Sequence, residues 1–404
     1  MADWRTVQLT HGSDASRFHS HSYYDIPVFD AAGDRILAHR MTMQGRAMRP
    51  DDSVDIGIIN VSRPGHFEPI AQSTSWSWQQ GPLAQWVAGG PQIVFNSRID
   101  GRFRAQIVDT SCGTATILPR TVYAAAPDGS AFYGLNMRRL EHLRPGYGYA
   151  TYEANPRLER TPCDDGIWQM DRAGGNRLVL SIDTLRRFFL GQASLAARAR
   201  HRLGDYAYWL NHLKLSPNGS RFTVKLRWRR EDGPWSDRQS VSLTGRVDGT
   251  ALRVLGRGLS HVMWLNEWQL YAWHFDRLVL LDDAADNPVP RAPIAPGLIS
   301  QNVHIRHLPP GASETLSEAV FDTPYRETVD LVHYWAGGAP GSARHRRIAR
   351  FANHVPAIGP LRCDLHPCLS PDGNRIAVTS LQDGGRQIYL LERESRNQRR
   401  DGVY

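Results

Sequence analysis

Seven similar segments recur along this chain of 404 residues, and each contains two short runs of alternating apolar residues separated by a turn. The turns hold Pro, Asp, Asn and Gly, as in "SPNG" at 216–219 and "SPDG" at 370–373. Alternation with a period of two predicts β-strands, and these turn residues favour a tight reversal between antiparallel strands. The copies begin at Ile26, Leu83, Val122, His212, His261, His304 and His366, and the second copy is degenerate.

Further strand-like segments follow the hairpins, for example at 102–110, 165–180 and 386–394. A hairpin with one or two outer strands is the repeating unit of a β-propeller. The sequence therefore predicts an all-β fold, a seven-bladed β-propeller that forms a single domain over residues 1–404. The last copy offers only three strands, so we expect the N-terminal strand near residues 5–10 to complete the last blade and leave no open edge.

Two segments depart from the strand pattern. Residues 182–204 have the periodicity of an amphipathic helix and predict a helical insertion after the third copy. The arginine-rich residues 395–404 predict a flexible tail.

The formal net charge of +8 comes almost entirely from arginine, because the chain has only two lysines, Lys214 and Lys225. The arginines are spread along the chain, as coding bias in a GC-rich genome would produce, apart from "RWRR" at 227–230, "RHRR" at 344–347 and the C-terminal "RESRNQRR". We therefore expect no nucleic-acid partner. An anionic small ligand or oligosaccharide remains a possible partner, since arginine suits planar carboxylates. No segment is apolar for long enough to be a signal peptide or a membrane span, which predicts a cytoplasmic protein without a membrane partner. The oligomeric state stays undetermined.

Four histidines occupy the same register position in consecutive copies: His212, His261, His304 and His366. Each begins the innermost strand of its blade, so the four side chains should meet at one mouth of the central channel. A single histidine at a strand end is more often a structural residue. Four in phase instead indicate a shared site, in which imidazoles serve as metal ligands, as general bases, or as both.

Polar and aromatic residues lie near the same mouth in the early copies. Tryptophan and tyrosine rings stack on sugars, and the side-chain amides of Gln and Asn form hydrogen bonds with sugar hydroxyl groups. Arginine can bind a carboxylate with two hydrogen bonds. Blade packing is the alternative for the tryptophans, and a solvated or acid-paired state is the alternative for the arginines. The candidate substrate-binding residues are His21, Trp78, Gln80, Arg139 and Asn211.

With this repeat and these histidines, the sequence resembles the seven-bladed propeller polysaccharide lyases, especially oligogalacturonate lyases and rhamnose-glucuronate lyases. The motifs that carry the resemblance are "SHVMW", "NVHIRH" and "DLHPCLSPDG", with weaker likeness in "HSYYD" and "WQQG". It implies a divalent cation near the axis, manganese or calcium, and a histidine that acts as the base. His304 and His366 match the metal-ligand positions, and His261 matches the catalytic histidine.

The chain departs from that family where a glutamine ligand is expected, because "RCDLHPC" has Cys363 or Asp364 there. Either Asp364 or His212 completes the metal set, or the site works with protein groups alone. The sequence thus predicts a lyase that cleaves a uronic-acid-containing oligosaccharide by β-elimination. His261 or His212 would be the base and Tyr24 or another histidine the acid.

Arg102 is the candidate for recognition of the substrate carboxylate. The main alternative is a non-catalytic propeller that binds a glycan or a protein partner. A hydrolase is disfavoured because no pair of acids lies in register at the mouth. If Asp25 and Asp364 lined the axis at a suitable separation, the hydrolase interpretation would gain support.

Overall fold

The computed structural model describes residues 3–12, 17–153, 158–291, 293–309, 316–336 and 343–394. Within these ranges the strands form seven antiparallel sheets, and the strands of each sheet are consecutive in the chain except in the last. This is a seven-bladed β-propeller, and the predicted fold class is confirmed.

The first three blades have four strands each, and in each blade the first strand is innermost. Blade 1 contains β2 (Phe18–Ser20), β3 (Arg35–Met41), β4 (Val54–Asn60) and β5 (Phe67–Ser73); blade 2 contains β6 (Gln85–Trp86), β7 (Gln92–Ile99), β8 (Arg102–Asp109) and β9 (Ala115–Leu118); blade 3 contains β10 (Ala124–Ala125), β11 (Phe132–Gly134), β12 (Gly166–Met170) and β13 (Asn176–Ser181).

The next three blades follow the same plan, although the sheet of blade 5 has three strands among the described residues. Blade 4 contains β14 (Tyr206–Leu215), β15 (Arg221–Arg230), β16 (Gln239–Arg246) and β17 (Arg253–Arg257); blade 5 contains β18 (Leu259–Trp264), β19 (Gln269–His274) and β20 (Arg277–Asp282); blade 6 contains β21 (Ile305–His307), β22 (Glu318–Asp322), β23 (Val329–Trp335) and β24 (Arg344–Phe351).

Blade 7 joins the two ends of the chain. It contains β25 (Cys368–Leu369), β26 (Arg375–Ser380), β27 (Gln387–Arg393) and, outermost, β1 (Trp4–Gln8). Strand β1 pairs with β27 along its whole length, from Trp4 opposite Arg393 to Gln8 opposite Tyr389. The expected closure of the ring by the N-terminal strand is therefore confirmed.

Three α-helices are present in the described part of the chain. The predicted helical insertion is divided into α2 (Ile182–Gly191) and α3 (Leu195–Leu203). A third helix, α1 (Met137–Leu143), was not predicted; Asn136 caps it by accepting a hydrogen bond from the backbone N–H of Arg139. None of the described helices is long and apolar enough to span a membrane. Residues 395–404, the predicted tail, lie outside the described residues.

Neighbouring blades pack face to face, so many strands are buried on both faces. Strand β15 shows the consequence most clearly. Phe222 and Trp228 contribute to the main hydrophobic core, while Lys225 and Arg227, which project from the other face, are also buried. Lysine and arginine are rarely buried unless they are paired, so two buried cations on one strand indicate a role in a binding site and not in packing alone.

Candidate functional site

Three of the four in-phase histidines share an unusual backbone conformation. φ is 53° at His212, 48° at His261 and 48° at His366, all in the left-handed region, and Leu83 has the same conformation in the degenerate copy, with φ of 54°. The β14–β15 and β18–β19 ladders shift register at these histidines, which marks β-bulges. A bulge turns a side chain out of the ladder. The left-handed conformation thus recurs at this register position, and in blades 4, 5 and 7 the residue that adopts it is a histidine.

The four imidazoles lie together around Tyr23 and Tyr24, with His261 in contact with Tyr24. The Tyr23 ring centroid is 4.5 Å from that of His366, 5.5 Å from that of His212 and 6.0 Å from that of His304. His304 is central, at 4.3 Å from His261 and 4.6 Å from His366 between ring centroids. Residues that are far apart in the sequence therefore meet at one place, as the repeat register predicted.

Three of the predicted metal ligands form a compact group. The ligand atoms of His304, Asp364 and His366 all lie within 4.8 Å of one another. His304 donates from Nδ1 to Asp322 at 2.9 Å, which leaves its Nε2 free to bind a cation. The Nε2 atoms of His304 and His366 are buried and have no hydrogen-bond partner among the described residues. Two unpaired imidazole nitrogens and a carboxylate fit a divalent cation.

Arg362 lies between this group and a large cavity, whose wall it also lines. Its Nε donates to Asp364 Oδ2 at 2.8 Å, and its Nη2 donates to the phenol oxygen of Tyr147 at 2.8 Å. Cys363, the alternative ligand, instead lies with its Sγ 3.7 Å from the backbone oxygen of Thr379. Burial raises the pKa of the Cys363 thiol, so Asp364 is the better ligand of the two.

A cavity of about 880 Å³ opens beside the histidine cluster, and His212 and His261 lie in its wall. The remaining wall is strongly basic and aromatic, with Arg144, Arg227, Arg229, Arg238, Arg362, Tyr147, Trp235 and Tyr325. None of the described residues that line it is acidic. The cavity is therefore suited to a negatively charged ligand with flat apolar faces.

Two of the nearby cations are buried without an acidic partner among the described residues. Arg227 donates from Nε to Asn211 Oδ1 at 3.1 Å, and Lys225 donates from Nζ to the backbone oxygen of Leu259. Burial lowers the pKa of both side chains well below the usual value, and the charge of Arg144 lowers it further. A buried cation without a counter-ion costs several kcal/mol. An anionic ligand in the cavity would offset part of that cost.

The two histidines of the cavity wall are neutral at pH 7. Burial lowers the pKa of His212 and of His261 well below 6.5, with added contributions from Arg144 and His304 respectively. His212 Nε2 accepts a hydrogen bond from Arg144 Nη1 at 3.0 Å, so its lone pair is occupied. His261 Nδ1 has no partner among the described residues. Of the two predicted bases, His261 is the one with an unpaired nitrogen.

Tyr24 and Gln80 lie beside the cluster but behind the cavity wall. The Tyr24 phenol accepts from Lys214 Nζ at 3.2 Å and borders a separate void of only about 10 Å³, so it does not reach the cavity as an acid. Gln80 donates to the phenol of Tyr123 at 2.6 Å, and that phenol accepts from the backbone N–H of His212 at 3.0 Å. Gln80 thus supports the bulge instead of lining the cavity.

His21 and Asn211 also act through neighbours. His21 donates from Nδ1 to the backbone oxygen of Ser22 at 2.7 Å, and burial lowers its pKa to about 4. Asn211 is fully buried and orients Arg227 through the hydrogen bond described above. Neither is among the residues of the cavity wall.

Three predicted residues lie away from the cavity, and their geometry does not support the expected roles. Trp78 donates from Nε1 to the backbone oxygen of Arg46 at 2.9 Å and packs in the core, as the blade-packing alternative predicted. Arg139 is buried and donates to backbone oxygens, including that of Tyr208 at 2.7 Å. Arg102 is exposed at the start of β8 and borders a different hollow.

The sequence analysis missed the arginines of the cavity wall. The signal was present in β15, where Lys225, Arg227 and Arg229 alternate with apolar residues and so share one face of the strand. The "RWRR" run at 227–230 stands out from the dispersed arginines, but the sequence assigns it no role. Only the contacts in the folded chain show that these cations lack acidic neighbours.

The fold and the cluster together define a seven-bladed β-propeller with a histidine–carboxylate site near its axis. Among solved structures, it is similar to an oligogalacturonate lyase in complex with manganese, with 13% identity over 98% of this chain and 99% of that one and a TM-score of 0.58. It is also similar to the oligogalacturonate lyase of Vibrio parahaemolyticus, with 12% identity over 96% and 97% of the two chains and a TM-score of 0.56.

Both similarities extend over nearly the whole chain, and they show that this protein shares its fold with the two solved structures. No protein-family model matches the sequence, and no curated protein matches it. Because one fold hosts many activities, the function has to be argued from the site.

Proposed function

We propose that this protein is a lyase that cleaves a uronic-acid-containing oligosaccharide by β-elimination. The observation that carries the proposal is the basic cavity, which holds five arginines and no acid among its described lining residues and lies beside neutral imidazoles. Its volume of about 880 Å³ is within the range of sites that hold small organic ligands. The similarity of the fold to oligogalacturonate lyases supports the same reaction class.

β-Elimination requires a uronate whose C6 carboxylate is neutralised, because this makes the proton on C5 more acidic. Guanidinium groups such as Arg227 and Arg238 can bind that carboxylate through two parallel hydrogen bonds. Trp235 and Tyr325 offer ring faces for stacking on the sugar. His261 lies in the cavity wall with a neutral imidazole, which can accept a proton or a hydrogen bond from the substrate.

His304, His366 and Asp364 would hold a divalent cation, for which we propose manganese or calcium. Such a cation acts as a Lewis acid that polarises a nearby oxygen group when it is bound. Asp322 orients His304 for this role, and Arg362 neutralises the charge of Asp364 toward the cavity.

A glycoside hydrolase is not supported by the acids near the axis. Asp25 is paired with Lys214 at 3.1 Å, and Asp364 is paired with Arg362 at 2.8 Å. Neither lines the large cavity. Two carboxylates with opposite protonation states, which glycoside hydrolysis needs, are therefore not found there among the described residues.

The proposal is tested by incubating the protein with glucuronate- and galacturonate-containing oligosaccharides and following near-ultraviolet absorbance, since elimination creates an unsaturated uronate. Metal analysis of the purified protein accompanies the assay. We expect an unsaturated product, and we expect bound metal to be lost in His304→Ala. Arg102→Ala is the matched control and should behave as wild type. Saturable binding of these sugars without any unsaturated product would instead identify a non-catalytic glycan-binding propeller.

A further inference from the structure

Tyr147 lies in the cavity wall between two arginines. Its phenol oxygen accepts a hydrogen bond from Arg362 Nη2 at 2.8 Å, and the guanidinium carbon of Arg144 lies 3.5 Å from its ring centroid. The edge of the ring meets His212, with 6.0 Å between centroids. A phenol oxygen that receives a guanidinium donor, with a second guanidinium over its ring, is held where a negative charge is stabilised.

The loop that carries Tyr147 is fixed by α1. Glu141 Oε2 accepts from the backbone N–H of Gly146 at 2.9 Å and from that of Gly148 at 3.1 Å, on either side of Tyr147. A Cβ atom on Gly148 would lie 2.1 Å from the backbone oxygen of Met137, so no side chain fits there. The phenol is therefore held in one place before any substrate arrives.

The charges around Tyr147 favour its ionised form. The titratable and charged groups that face it are Glu141, Arg144, Arg227, Arg238, His212, Arg362, Asp364, Tyr23 and Tyr325. Burial raises the pKa of the Tyr147 phenol, but Arg144 and Arg362 together outweigh burial, and the pKa falls below 10.0. Asp364 acts in the opposite direction and raises the pKa of Tyr147, although Asp364 is itself paired with Arg362.

The imidazoles of the wall are weaker candidates for removing a proton from carbon. The lone pair of His212 Nε2 is occupied by Arg144. His261 has a pKa well below 6.5, so its neutral form is a weak base. A phenolate whose conjugate acid has a higher pKa is the stronger base, and it lines the same cavity.

We infer that Tyr147 is the proton-transfer group of the cavity, and this inference rests on the proposed lyase function. The Tyr147 phenolate takes the proton from C5 of the uronate. The electron pair of the C5–H bond forms the C4=C5 double bond, and the C4–O bond breaks with its electrons on the leaving oxygen. The new Tyr147 phenol then gives that proton to the leaving oxygen, so the phenolate is restored and no other proton donor is required.

The first test does not depend on activity. Ultraviolet difference titration follows tyrosine ionisation above the pKa of Glu141, which is about 7. We expect one tyrosine of the wild type to ionise ahead of the others and Tyr147→Phe to lose that transition. Tyr152→Phe is the matched control, because Tyr152 is exposed and donates to Asp51. Arg144→Met removes one stabilising cation and should shift the transition to higher pH.

The second test compares rates over the same pH range, in which His212, His261 and His366 are already neutral because burial lowers their pKa values well below 6.5. We expect kcat to rise with pH through the spectroscopic midpoint and the midpoint to move to higher pH in Arg144→Met. In Tyr147→Phe kcat should fall at least about 1,000-fold while KM changes less than about 5-fold. Replacing the same residue by histidine, in Tyr147→His, is not expected to restore kcat.

The outcomes separate the two proposals. An unsaturated product together with an unchanged kcat in Tyr147→Phe would overturn the role of Tyr147 alone. So would an unsaturated product together with no early tyrosine transition. Absence of product from every uronate oligosaccharide would overturn the lyase function, and the role of Tyr147 in proton transfer would fall with it.

Discussion

Two arginine-rich hollows in this propeller differ in whether their cations are already neutralised. The smaller hollow, of about 420 Å³, contains acids as well as arginines: Arg138 pairs with Glu153, and Asp165 also lies in its wall. Arg120 is stacked on Trp168, with 3.4 Å between its guanidinium carbon and the ring centroid. In the larger cavity no described lining residue is acidic.

The difference shows that the number of arginines is a poor guide to ligand charge. An arginine that is paired with a carboxylate has little field left for a ligand, whereas an arginine that is stacked on an aromatic ring keeps its charge. Arg362 pairs with Asp364, but the other arginines of the larger cavity have no acidic partner among the described residues, so they gain most from an incoming anion. The following predictions test this contrast.

The largest expected effect comes from removing an unpaired cation. Arg227→Met should lower kcat/KM on a uronate oligosaccharide by about 100-fold, roughly 2.7 kcal/mol of transition-state stabilisation, measured from initial near-ultraviolet rates. Arg102→Met, in the smaller hollow, should change it less than about 2-fold. Denaturant unfolding should show Arg227→Met to be as stable as wild type or more so, because a buried unpaired charge is removed. Equal losses of activity in both variants would contradict the contrast.

A moderate effect is expected in the pH dependence of stability. Burial holds the pKa of Lys225 in the folded protein well below 10.5, its value when unfolded. Between these two values the unfolded chain binds the extra proton, so the free energy of unfolding should rise with pH, with a slope of up to about 1.4 kcal/mol per pH unit.

Lys225→Met should flatten this slope, and Arg102→Met should leave it as in wild type. Urea unfolding at a series of alkaline pH values measures the slope directly. A wild-type slope that persists in Lys225→Met would show that Lys225 is solvated or paired in solution.

The smallest effect is expected from the smaller hollow. Glu153→Gln removes the partner of Arg138, but both side chains are substantially exposed, at 55% and 40% respectively. Exposed ion pairs contribute little, so the free energy of unfolding should change by less than about 0.5 kcal/mol in a denaturant titration. A loss larger than about 1.5 kcal/mol would show that this hollow depends on its ion pair, and the two hollows would then be less distinct.

The fold was predictable because its signals are local. Alternation with a period of two and the "SPNG" and "SPDG" turns specify hairpins without knowledge of distant contacts. Helix α1 was missed for the converse reason, since seven residues are too few to form a stable helix alone. Buried Leu140 and Leu143 pack it against the propeller core, which the sequence around them does not reveal.

The candidate site was predictable only in part. The histidines were found because equivalent positions in successive repeats lie at equivalent places in successive blades, so residues in phase along the sequence meet at the axis. The same reasoning gave no information on Tyr147, which lies on a loop outside the register, or on Arg362, which acts through contacts with Asp364 and Tyr147. Whether an arginine meets an acid depends on such tertiary contacts, and the composition around it does not determine them.

The pairing of β1 with β27, the seam of the ring, determines when the ring can close during synthesis. The side chains of Arg5 and Glu392 pair across this seam although 387 positions separate them. During translation β1 leaves the ribosome long before β27, and its hydrogen-bonding edge has no partner until β27 has emerged. Closure of the ring is therefore a late event with a large loop-closure entropy, and a nascent chain halted before blade 7 would expose an edge strand that can pair with other chains.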